Sequence, residues 1–315
     1  MSDGRRVLII GGSGQLGLEL QRSFAGTDPL VAVDREVVDL TAPDRIRAIV
    51  ASVKPDVILN AAAYTAVDQA ESQAEIAMAV NARAPGILAE EASRIGALLV
   101  HYSTDYVFDG SKVGAWTEED APAPLNEYGK TKLAGEEAIR EVGGTYLIFR
   151  TSWVYGPHGK NFLLTMLRLG RERDELSVVD DQYGAPTSSL ELARATREIV
   201  DGALAGKFGA AKDWAGLYHM TCGGETTWCG FTRAIFARAR ALLGDRNPVV
   251  KAIPTSEYPT PAKRPRNSVL SNTRLQARFG VRMLSWEEAL DDVLQQMEAS
   301  RGGKQNRTDK WGRSN

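Results

Sequence analysis

The chain has 315 residues, of which 43% are apolar and 25% are charged, and its 38 Lys and Arg against 40 Asp and Glu give a net charge of −2. This composition is ordinary for a soluble globular protein and excludes fibrous repeats and wholesale disorder. Such an even balance lacks the basic surface of a nucleic-acid binder, so no nucleic-acid partner is expected. No apolar run reaches the roughly 18 residues of a membrane span, and no secretory leader pattern is present, so we expect a cytoplasmic protein without a membrane partner.

The first part of the chain alternates short apolar runs with helical patterns, which predicts a parallel sheet covered by helices. The runs are mostly apolar throughout, as strands buried on both faces should be. The predicted strands are Arg6–Ile10, Leu30–Val33, Val57–Asn60, Ala97–Ser103 and Tyr146–Arg150. The predicted helices between them are Gln15–Phe24, Pro43–Val53, Ala74–Ile95 and Glu127–Val142.

After Arg150 the pattern becomes less regular, which indicates a second and smaller unit. Its predicted strands are Leu176–Val179, Leu217–Met220 and Val249–Ile253, and its predicted helices are Asn161–Arg173, Ser189–Ala205, Thr227–Leu243 and Ser285–Glu298. We predict an α/β fold with a Rossmann-type doubly wound parallel sheet over residues 1–150, to which later segments return. Residues 151–298 are expected mainly to form a smaller C-terminal substrate-binding domain. Residues 299–315 are polar and glycine-rich and are predicted to be a flexible tail.

A glycine-rich loop follows the first predicted strand and leads directly into the first helix. Gly11, Gly14 and Gly17 allow a tight turn and a close approach to a pyrophosphate, while the helix N-terminus supplies N–H donors. The strand–loop–helix context favours a dinucleotide site over an ordinary glycine turn. Asp34 is placed to meet an adenosine ribose hydroxyl and suits NADH, whereas Arg35 beside it could hold the 2′-phosphate of NADPH. Both cofactors therefore stay open.

Tyr128 and Lys132 lie four residues apart on the predicted helix Glu127–Val142, so their side chains share one face. A phenol has a pKa of about 10 in water. A nearby ammonium is expected to lower that pKa and can also bind cofactor ribose hydroxyls. Such a pair also occurs by chance on helix surfaces, and its combination with the glycine loop makes it specific. Thr104, at the carboxyl end of the fourth strand, is expected to hydrogen-bond a substrate oxygen beside the tyrosine, whereas Ser103 is expected only to cap that strand.

These features resemble the extended short-chain dehydrogenase/reductase family. The resemblance rests on the Gly11-x-x-Gly14-x-x-Gly17 loop, the Asn60-Ala61-Ala62-Ala63 strand end, the Thr104 hydroxyl and the Tyr128/Lys132 pair. Within the family the chain is similar to reductases of nucleotide sugars, through stretches that together cover roughly residues 7 to 295. These stretches are GGSGQLG from Gly11, NAAAYTAVDQAE from Asn60, HYSTDYVFDG from His101, PLNEYGKTKLAGE from Pro124, FRTSWVYG from Phe149, DDQYGAPT from Asp180 and YPTPAKRPRNS from Tyr258.

The resemblance implies a hydride transfer to a nucleotide sugar. NADPH or NADH would reduce the C4 ketone of dTDP-6-deoxy-L-lyxo-4-hexulose to give dTDP-L-rhamnose, a precursor of rhamnose-containing polysaccharides. Tyr128 would protonate the developing alkoxide, Lys132 would tune the phenol and hold the ribose, and Thr104 would orient the ketone oxygen. Stabilisation of that charge in the transition state is where catalysis should reside.

The resemblance also implies binding positions for both ligands. Those for the cofactor are Gly14, Gln15 and Leu16 at the pyrophosphate, Asp39 and Leu40 at the adenine, and Ala62, Ala63, Tyr64 and Thr65 on the nicotinamide side. Those for the substrate are Thr104, Asp105 and Trp153 at the sugar and Arg264, with the DDQYGAPT stretch, at the nucleotide. A guanidinium fits a diphosphate well. For Trp153 a purely structural place in the core stays open.

Members of the family can form homodimers in which glutamates at the interface hold Mg²⁺. The resemblance therefore implies a second copy of this chain as a possible partner. Glu19 matches one of these glutamates, but the other position is Leu190 here, with Glu191 next to it. One residue along a helix rotates a side chain by about 100°. This displacement argues against a Mg²⁺ site in this chain.

Two other kinds of function stay open from the sequence. A nucleotide-sugar dehydratase of this family needs an Asp-Glu dipeptide after the threonine, and here Tyr106 follows Asp105. Epimerases share the Tyr128/Lys132 pair, so the pair does not separate them from a reductase. A regulatory subunit of the methionine adenosyltransferase type has the same fold without catalysis. The intact set of Thr104, Tyr128 and Lys132 argues against that binding role.

Overall fold

The computed structural model describes residues 4–26, 29–244 and 246–308. The strands, numbered along the chain, are β1 (Val7–Ile10), β2 (Leu30–Val33), β3 (Val57–Asn60), β4 (Leu98–Thr104), β5 (Tyr146–Thr151), β6 (Val154–Tyr155), β7 (Glu175–Val179), β8 (Tyr183–Gly184), β9 (Thr187–Ser188), β10 (Gly216–His219), β11 (Thr226–Thr227) and β12 (Val249–Ile253). The helices are α1 (Gln15–Ser23), α2 (Pro43–Val53), α3 (Val67–Ala70), α4 (Ala74–Met78), α5 (Ala84–Ile95), α6 (Glu127–Val142), α7 (Phe162–Glu172), α8 (Ser189–Leu204), α9 (Ala211–Trp214), α10 (Trp228–Arg238), α11 (Arg240–Leu243), α12 (Thr273–Phe279) and α13 (Trp286–Thr308). A π-helical segment, Ala79–Arg83, joins α4 to α5, and short 3₁₀ turns lie at Asp105–Val107 and Thr255–Glu257.

A parallel sheet with the strand order β10-β5-β4-β3-β1-β2 forms the centre of the fold. The chain passes from β1 to β2 on one side and then returns to β3 on the other side of β1. The strand order therefore reverses between β1 and β3, and ligands bind beyond the carboxyl ends of strands at such a point. This arrangement confirms the predicted doubly wound α/β fold. β10, from the second half of the chain, forms one edge of the sheet.

Side chains of the central strands alternate between two apolar cores, as the pleat of a strand requires. In β4, Leu98 and Val100 belong to the core that includes residues of α1 and α8, whereas Leu99 belongs to the core that includes residues of α2 and α5. His101 continues the face of Leu99, and its ring meets Lys132 of α6 there. This alternation places a polar side chain of the central strand directly under the helix that carries the Tyr/Lys pair.

The second half of the chain has a core of its own, built on α7, α10 and α13. Leu163, Phe231 and Leu290 are fully buried in it. The strands β7 and β12 pair in parallel beside this core, and β6–β9 and β8–β11 form two further short pairs. Within the described residues, none of the helices is both long enough and apolar enough to cross a bilayer.

The helix predicted over Ala74–Ile95 is interrupted, because the chain forms α4, the π-helical segment and α5 in its place. Pro85 lies in the first turn of α5, where it needs no hydrogen-bond donor. A π-bulge inserts an extra residue into a turn and occurs often at functional sites. The sequence pattern shows the apolar period of the whole segment and does not reveal this local widening.

The end of the chain also differs from the expectation. α13 continues to Thr308, so residues 299–308 of the predicted tail are helical. A helix that is already formed extends by one backbone hydrogen bond per added residue, without the cost of a new nucleus. The rest of the predicted tail, residues 309–315, lies outside the described residues.

Candidate active site

The glycine loop turns sharply between β1 and α1. Gly11 has a φ of +85°, and a Cβ on it would lie 2.9 Å from the Cα of Ala62, so both conformation and space require glycine. A Cβ on Gly17 would lie 2.0 Å from the carbonyl oxygen of Gly11, so glycine lets α1 pack against the loop. Gly14 caps α1 without a side-chain hydrogen bond. The N–H groups and positive dipole end of the first turn therefore fit a pyrophosphate.

The first residues of α1 take different roles in this arrangement. Leu16 points into the apolar core, so only its backbone can meet a pyrophosphate. The Gln15 side chain instead reaches the second half of the chain, where its Nε2 donates to the carbonyl oxygen of Val154 at 3.2 Å. Its Oε1 accepts a hydrogen bond of 3.3 Å from Nδ2 of Asn161, the residue that caps α7. This side chain therefore connects α1 to α7.

The residues expected at the adenosine follow β2. Asp34 is half-buried and its carboxylate closes the turn after β2, whereas Arg35 is exposed. Hydrogen bonds from the backbone N–H and the hydroxyl of Thr41 hold the pKa of Asp39 below its usual value. Leu40 packs into the core that includes residues of α2 and α5. Asp34 and Arg35 thus directly follow the carboxyl end of β2, and the buried Leu40 holds the loop that follows them against the core.

The segment expected on the nicotinamide side, residues 61–66, is held by a side chain that sequence reasoning missed. Asn81, in the π-helical segment, accepts a hydrogen bond of 2.8 Å from the Tyr64 N–H and donates one of 3.1 Å to the Tyr64 carbonyl oxygen. Its Nδ2 also donates to the Thr131 hydroxyl on α6 at 3.1 Å. A Cβ on Gly135 would lie 2.1 Å from the Asn81 carbonyl oxygen, so α6 approaches this segment closely. The signal in the sequence that could have identified this residue was a single asparagine within an apolar helical run.

The side chains expected at the reaction centre meet where β4 ends. The Thr104 hydroxyl donates to Oδ1 of Asp105 at 2.9 Å, accepts from the Tyr106 N–H at 3.1 Å, and lies beside the Tyr128 phenol, whose pKa it acts to lower. The Tyr106 ring packs edge-on against the Tyr128 ring, with 5.7 Å between centroids. The structure thus places Thr104 next to Tyr128.

Burial raises the pKa of Tyr128 to about 12, and the Thr104 hydroxyl opposes that rise only in part. The lowering by Lys132 that the sequence suggested is not found, because the Lys132 ammonium donates elsewhere. It donates to the Tyr102 carbonyl oxygen at 2.6 Å and to Nε2 of His101 at 3.1 Å. The phenol therefore stays protonated at neutral pH, which is the state a proton donor needs.

Asp105 is a buried carboxyl group with an unpartnered oxygen. Burial raises its pKa to about 6, while hydrogen bonds from Ser268 and Thr104 oppose that rise. Its Oδ2 has no hydrogen-bond partner among the described residues. Because a buried acceptor is costly when unpaired, this oxygen fits a hydroxyl group of a sugar.

Asp105→Asn should stabilise the protein at neutral pH while lowering its activity. The pKa of Asp105 is about 6 when folded against 3.8 for a free side chain, so stability falls as pH rises through that interval. At pH values above 6 the penalty is at most about 3 kcal/mol, which the neutral amide removes in part. Thermal unfolding of both proteins at about pH 4.5 and about pH 7.5 checks this expectation. A gain of equal size at both values would contradict the assigned cause.

A cavity of about 410 Å³ lies between α7, β7 and α10. Its wall is mainly apolar and includes Phe162, Met166 and Trp228, with Gln182 from the DDQYGAPT stretch. Arg264 stands at this wall, where its Nη2 pairs with Asp68 at 3.0 Å. Its Nη1 is buried and has no partner among the described residues. An apolar cavity with one free guanidinium donor fits a nucleobase with its diphosphate.

Trp153 is half-buried beside this cavity rather than in a core. Its ring stacks on that of Trp228, with 3.5 Å between centroids and 8° between planes. Its φ of +47° lies in the left-handed region, which is strained for an aromatic residue. A Cβ on Gly184 would lie 2.5 Å from the Trp153 ring, so that glycine makes room for the stack. Sequence reasoning missed Trp228, which no motif marked.

The residues expected at a Mg²⁺ site do not fit a divalent cation. Glu19 is paired with Arg22 at 2.8 Å, and Glu191 is paired with Arg194 at 2.7 Å. Glu191 also accepts a hydrogen bond from the Leu284 N–H. Within residues 4–26, 29–244 and 246–308 no group of three His, Cys, Asp or Glu side chains could hold a metal ion. Both carboxylates instead neutralise neighbouring guanidinium groups.

Residues 5–299 match the family described as the RmlD substrate binding domain. The chain is 48% identical to dTDP-4-dehydrorhamnose reductase of Burkholderia thailandensis over 288 residues, which are 90% of this chain and 96% of that protein. The crystal structure of a dTDP-4-dehydrorhamnose reductase from Clostridium acetobutylicum superposes with a TM-score of 0.85 at 38% identity, covering 93% of this chain and 99% of that one. The Bacillus anthracis dTDP-4-dehydrorhamnose reductase in complex with NADP gives 0.84 at 35% identity, with the same coverage of 93% and 99%. The chain therefore belongs to the dTDP-4-dehydrorhamnose reductase family.

Proposed function

We propose that this protein reduces the C4 ketone of dTDP-4-dehydrorhamnose to give dTDP-L-rhamnose, with NADPH or NADH as the reductant. The observation that carries this proposal is the placement of the Thr104 hydroxyl next to a protonated Tyr128 phenol at the carboxyl edge of the sheet, on the helix that also carries the buried Lys132. Family membership supports the choice of substrate. The product is the activated form of rhamnose that synthesis of rhamnose-containing polysaccharides requires.

The chain's own groups hold the ketone and supply the proton. When bound in the crevice between β1 and β3, NADPH or NADH supplies the hydride. Thr104 orients the ketone oxygen beside the Tyr128 phenol, whose pKa of about 12 keeps it a donor throughout the neutral range. As charge develops on that oxygen, the phenolic proton moves to it. In this proposal the Lys132 ammonium, two of whose N–H groups are directed at β4, keeps its third N–H for the cofactor ribose.

The two halves of the chain divide the ligands between them in this proposal. Residues 1–150 hold the cofactor at the glycine loop, and residues 151–298 hold most of the nucleotide sugar. The apolar cavity receives the base, and Arg264 pairs with the diphosphate through its free Nη1. Asp105 and Trp153 face the sugar ring, where the unpartnered Oδ2 of Asp105 accepts from a hydroxyl group.

A dehydratase reaction is not supported at this site. Removing water across a C–C bond needs an acid–base carboxylate pair, and Tyr106 occupies the position after Asp105. Burial raises the pKa of the Tyr106 phenol, so it provides no second carboxylate-like base at neutral pH. The site therefore supports proton donation to a ketone.

The direct test is the loss of NADPH absorbance when the purified protein meets dTDP-4-dehydrorhamnose, with the product identified by mass spectrometry. We expect stoichiometric formation of dTDP-L-rhamnose. Omission of the sugar nucleotide is one control, and release of oxidised cofactor in each turnover separates a reductase from an epimerase that retains its cofactor. A folded protein that binds NADPH and leaves the ketone unreduced would overturn the proposal.

We expect both cofactors to be used, with a preference no larger than about tenfold. Asp34 repels a 2′-phosphate and the exposed Arg35 attracts one, and these effects are each roughly 1–2 kcal/mol when partly solvated. Arg35→Ala should shift the ratio of kcat/KM values toward NADH, and Asp34→Asn should shift it toward NADPH. The asparagine retains the oxygen that closes the turn after β2. A ratio that Arg35→Ala leaves unchanged would show that the guanidinium faces solvent.

A further inference from the structure

Lys132 is held from behind by the strand beneath its helix. Its side chain is 1% exposed, and its Nζ donates to the Tyr102 carbonyl oxygen at 2.6 Å and to Nε2 of His101 at 3.1 Å. An ammonium has three N–H donors. Two of them are thus directed at β4, and the third is left for the ligand crevice.

The His101 ring can accept this hydrogen bond in only one neutral tautomer. Nε2 must be unprotonated to accept from an ammonium, so the hydrogen must be on Nδ1. Nδ1 lies 3.0 Å from the side-chain amide of Asn60, its register neighbour on β3, and both side chains are buried. The Asn60 Oδ1 has no partner as placed. Because amide oxygen and nitrogen are interchangeable in shape, turning Oδ1 toward Nδ1 lets it accept from the Nδ1–H, and the unpartnered atom among the described residues is then Nδ2.

The charges around Lys132 leave its ammonium without a carboxylate partner of its own. Glu136, one turn further along α6, acts to raise the Lys132 pKa, but its two oxygens are bound by Arg150 at 2.8 Å and 2.7 Å. Arg140 and the Ser103 hydroxyl bind the same carboxylate. Burial outweighs this attraction and lowers the pKa of Lys132 to about 8.

The other elements packed around this site contribute neutral groups. β3 provides the Asn60 amide, and β4 provides His101, whose pKa burial and the Lys132 charge hold well below its usual range. The Tyr102 phenol lies on the opposite face of β4, where it is bonded to Thr196. Tyr128, on α6 itself, stays protonated.

We propose that His101 is a positioning residue for the reduction: its Nε2, kept as an acceptor by Asn60, directs the Lys132 ammonium so that one N–H faces the cofactor ribose. A neutral acceptor suits this task. A carboxylate in the same place would neutralise the ammonium and weaken its binding of the ribose hydroxyls, whereas an imidazole fixes the direction and leaves the full charge. The inference rests on the proposed function of Lys132.

Two substitutions of His101 distinguish the role of its hydrogen-bond acceptor from the role of its side-chain volume. His101→Leu removes the acceptor, which destabilises the charged form of Lys132, so the basic limb of the kcat/KM profile should move about one pH unit toward neutrality. NADPH should bind about tenfold more weakly to this variant. His101→Gln places an amide oxygen near the position of Nε2 and should restore the limb and the affinity. A purely structural role would lower kcat without moving the limb, and an unmoved limb in folded His101→Leu would overturn the proposal.

A second measurement uses the unaltered protein and needs no sugar substrate. The chain contains only three histidines, so the ring nitrogens can be resolved by ¹⁵N NMR, with His101→Gln to assign the signal. We expect His101 to carry its hydrogen on Nδ1 and to stay neutral across the neutral range. A hydrogen on Nε2 would overturn the proposal even if His101→Leu fails to fold. The pH dependence of NADPH binding reports on Lys132 independently, so a failure of the proposed reduction is distinguishable from a failure of this inference.

Discussion

Tyr128→Phe should bind the cofactor normally and lose about 100- to 10,000-fold in turnover, the usual range for removal of a proton donor. The substitution removes only the hydroxyl that lies beside Thr104, while the ring and its edge-on packing against Tyr106 remain. NADPH titration and steady-state kinetics with dTDP-4-dehydrorhamnose measure the two effects separately. Turnover close to that of the parent, in a protein with normal NADPH affinity, would show that another group donates the proton.

Tyr155→Phe is a matched control for this variant. Tyr155 is fully buried, whereas Tyr128 is only partly buried. The Tyr155 hydroxyl has no partner among the described residues, and its ring belongs to the core of the second half of the chain. We expect this control to keep normal turnover and to be at least as stable as the parent, since it removes an unpaired buried hydroxyl. Comparison of the two variants separates the effect of losing the hydroxyl at the site from the effect of losing a tyrosine hydroxyl elsewhere in the protein.

Lys132→Met should lower turnover and cofactor affinity together and should nevertheless stabilise the fold. In the proposed mechanism the ammonium holds the cofactor ribose, and removal of one such charged donor lowers turnover about 100- to 1,000-fold. The pKa of Lys132 is about 8 when folded against 10.5 when free, so the unfolded chain binds more protons between these values and stability rises with pH across them. Below pH 8 the buried charge therefore destabilises the folded protein by up to about 3 kcal/mol.

Thermal unfolding at about pH 7 and about pH 10.5 measures the stabilisation by Lys132→Met, which should be larger at the lower value. Kinetics and NADPH titration measure the functional loss. A fall in turnover with unaltered NADPH affinity would contradict the proposed contact of Lys132 with the cofactor ribose. A fall in stability at neutral pH would show that the hydrogen bonds to His101 and Tyr102 outweigh the burial of the charge.

Local pattern was sufficient for the sheet and its helices. Each predicted strand is present with its ends shifted by at most one residue. The inner strands of the large sheet were recognisable because strands buried on both faces appear as continuous apolar runs between turn residues. The short helices α9 and α12 were not predicted, since four to seven residues hold too little of a helical period to be recognised. The π-helical segment was missed because its apolar positions fit an ordinary helix.

The sequence predicted which residues form the site, but it did not predict which partner each side chain contacts. Helical spacing places Tyr128 and Lys132 on one face, but whether the ammonium turns to the phenol or to the sheet depends on His101 and Asn60, which are distant in the sequence. The stack of Trp153 on Trp228 likewise depends on contacts between separate segments and on space left by Gly184. Such contacts follow from packing in three dimensions, and no period along the chain encodes them.

The Gln15 side chain connects the proposed cofactor site to the proposed nucleotide site through a hydrogen bond. It is the first residue of α1, at the pyrophosphate end of the cofactor site, and it is bonded to Asn161, which caps α7. The first turns of α7 line the apolar cavity with Phe162 and Met166. In the proposed complex, the hydrogen bond between Gln15 and Asn161 therefore links the two binding sites. When the first ligand raises the affinity for the second by some factor, the second raises the affinity for the first by the same factor. The order in which the two ligands bind therefore changes the rate of assembly, and the stability of the ternary complex stays the same.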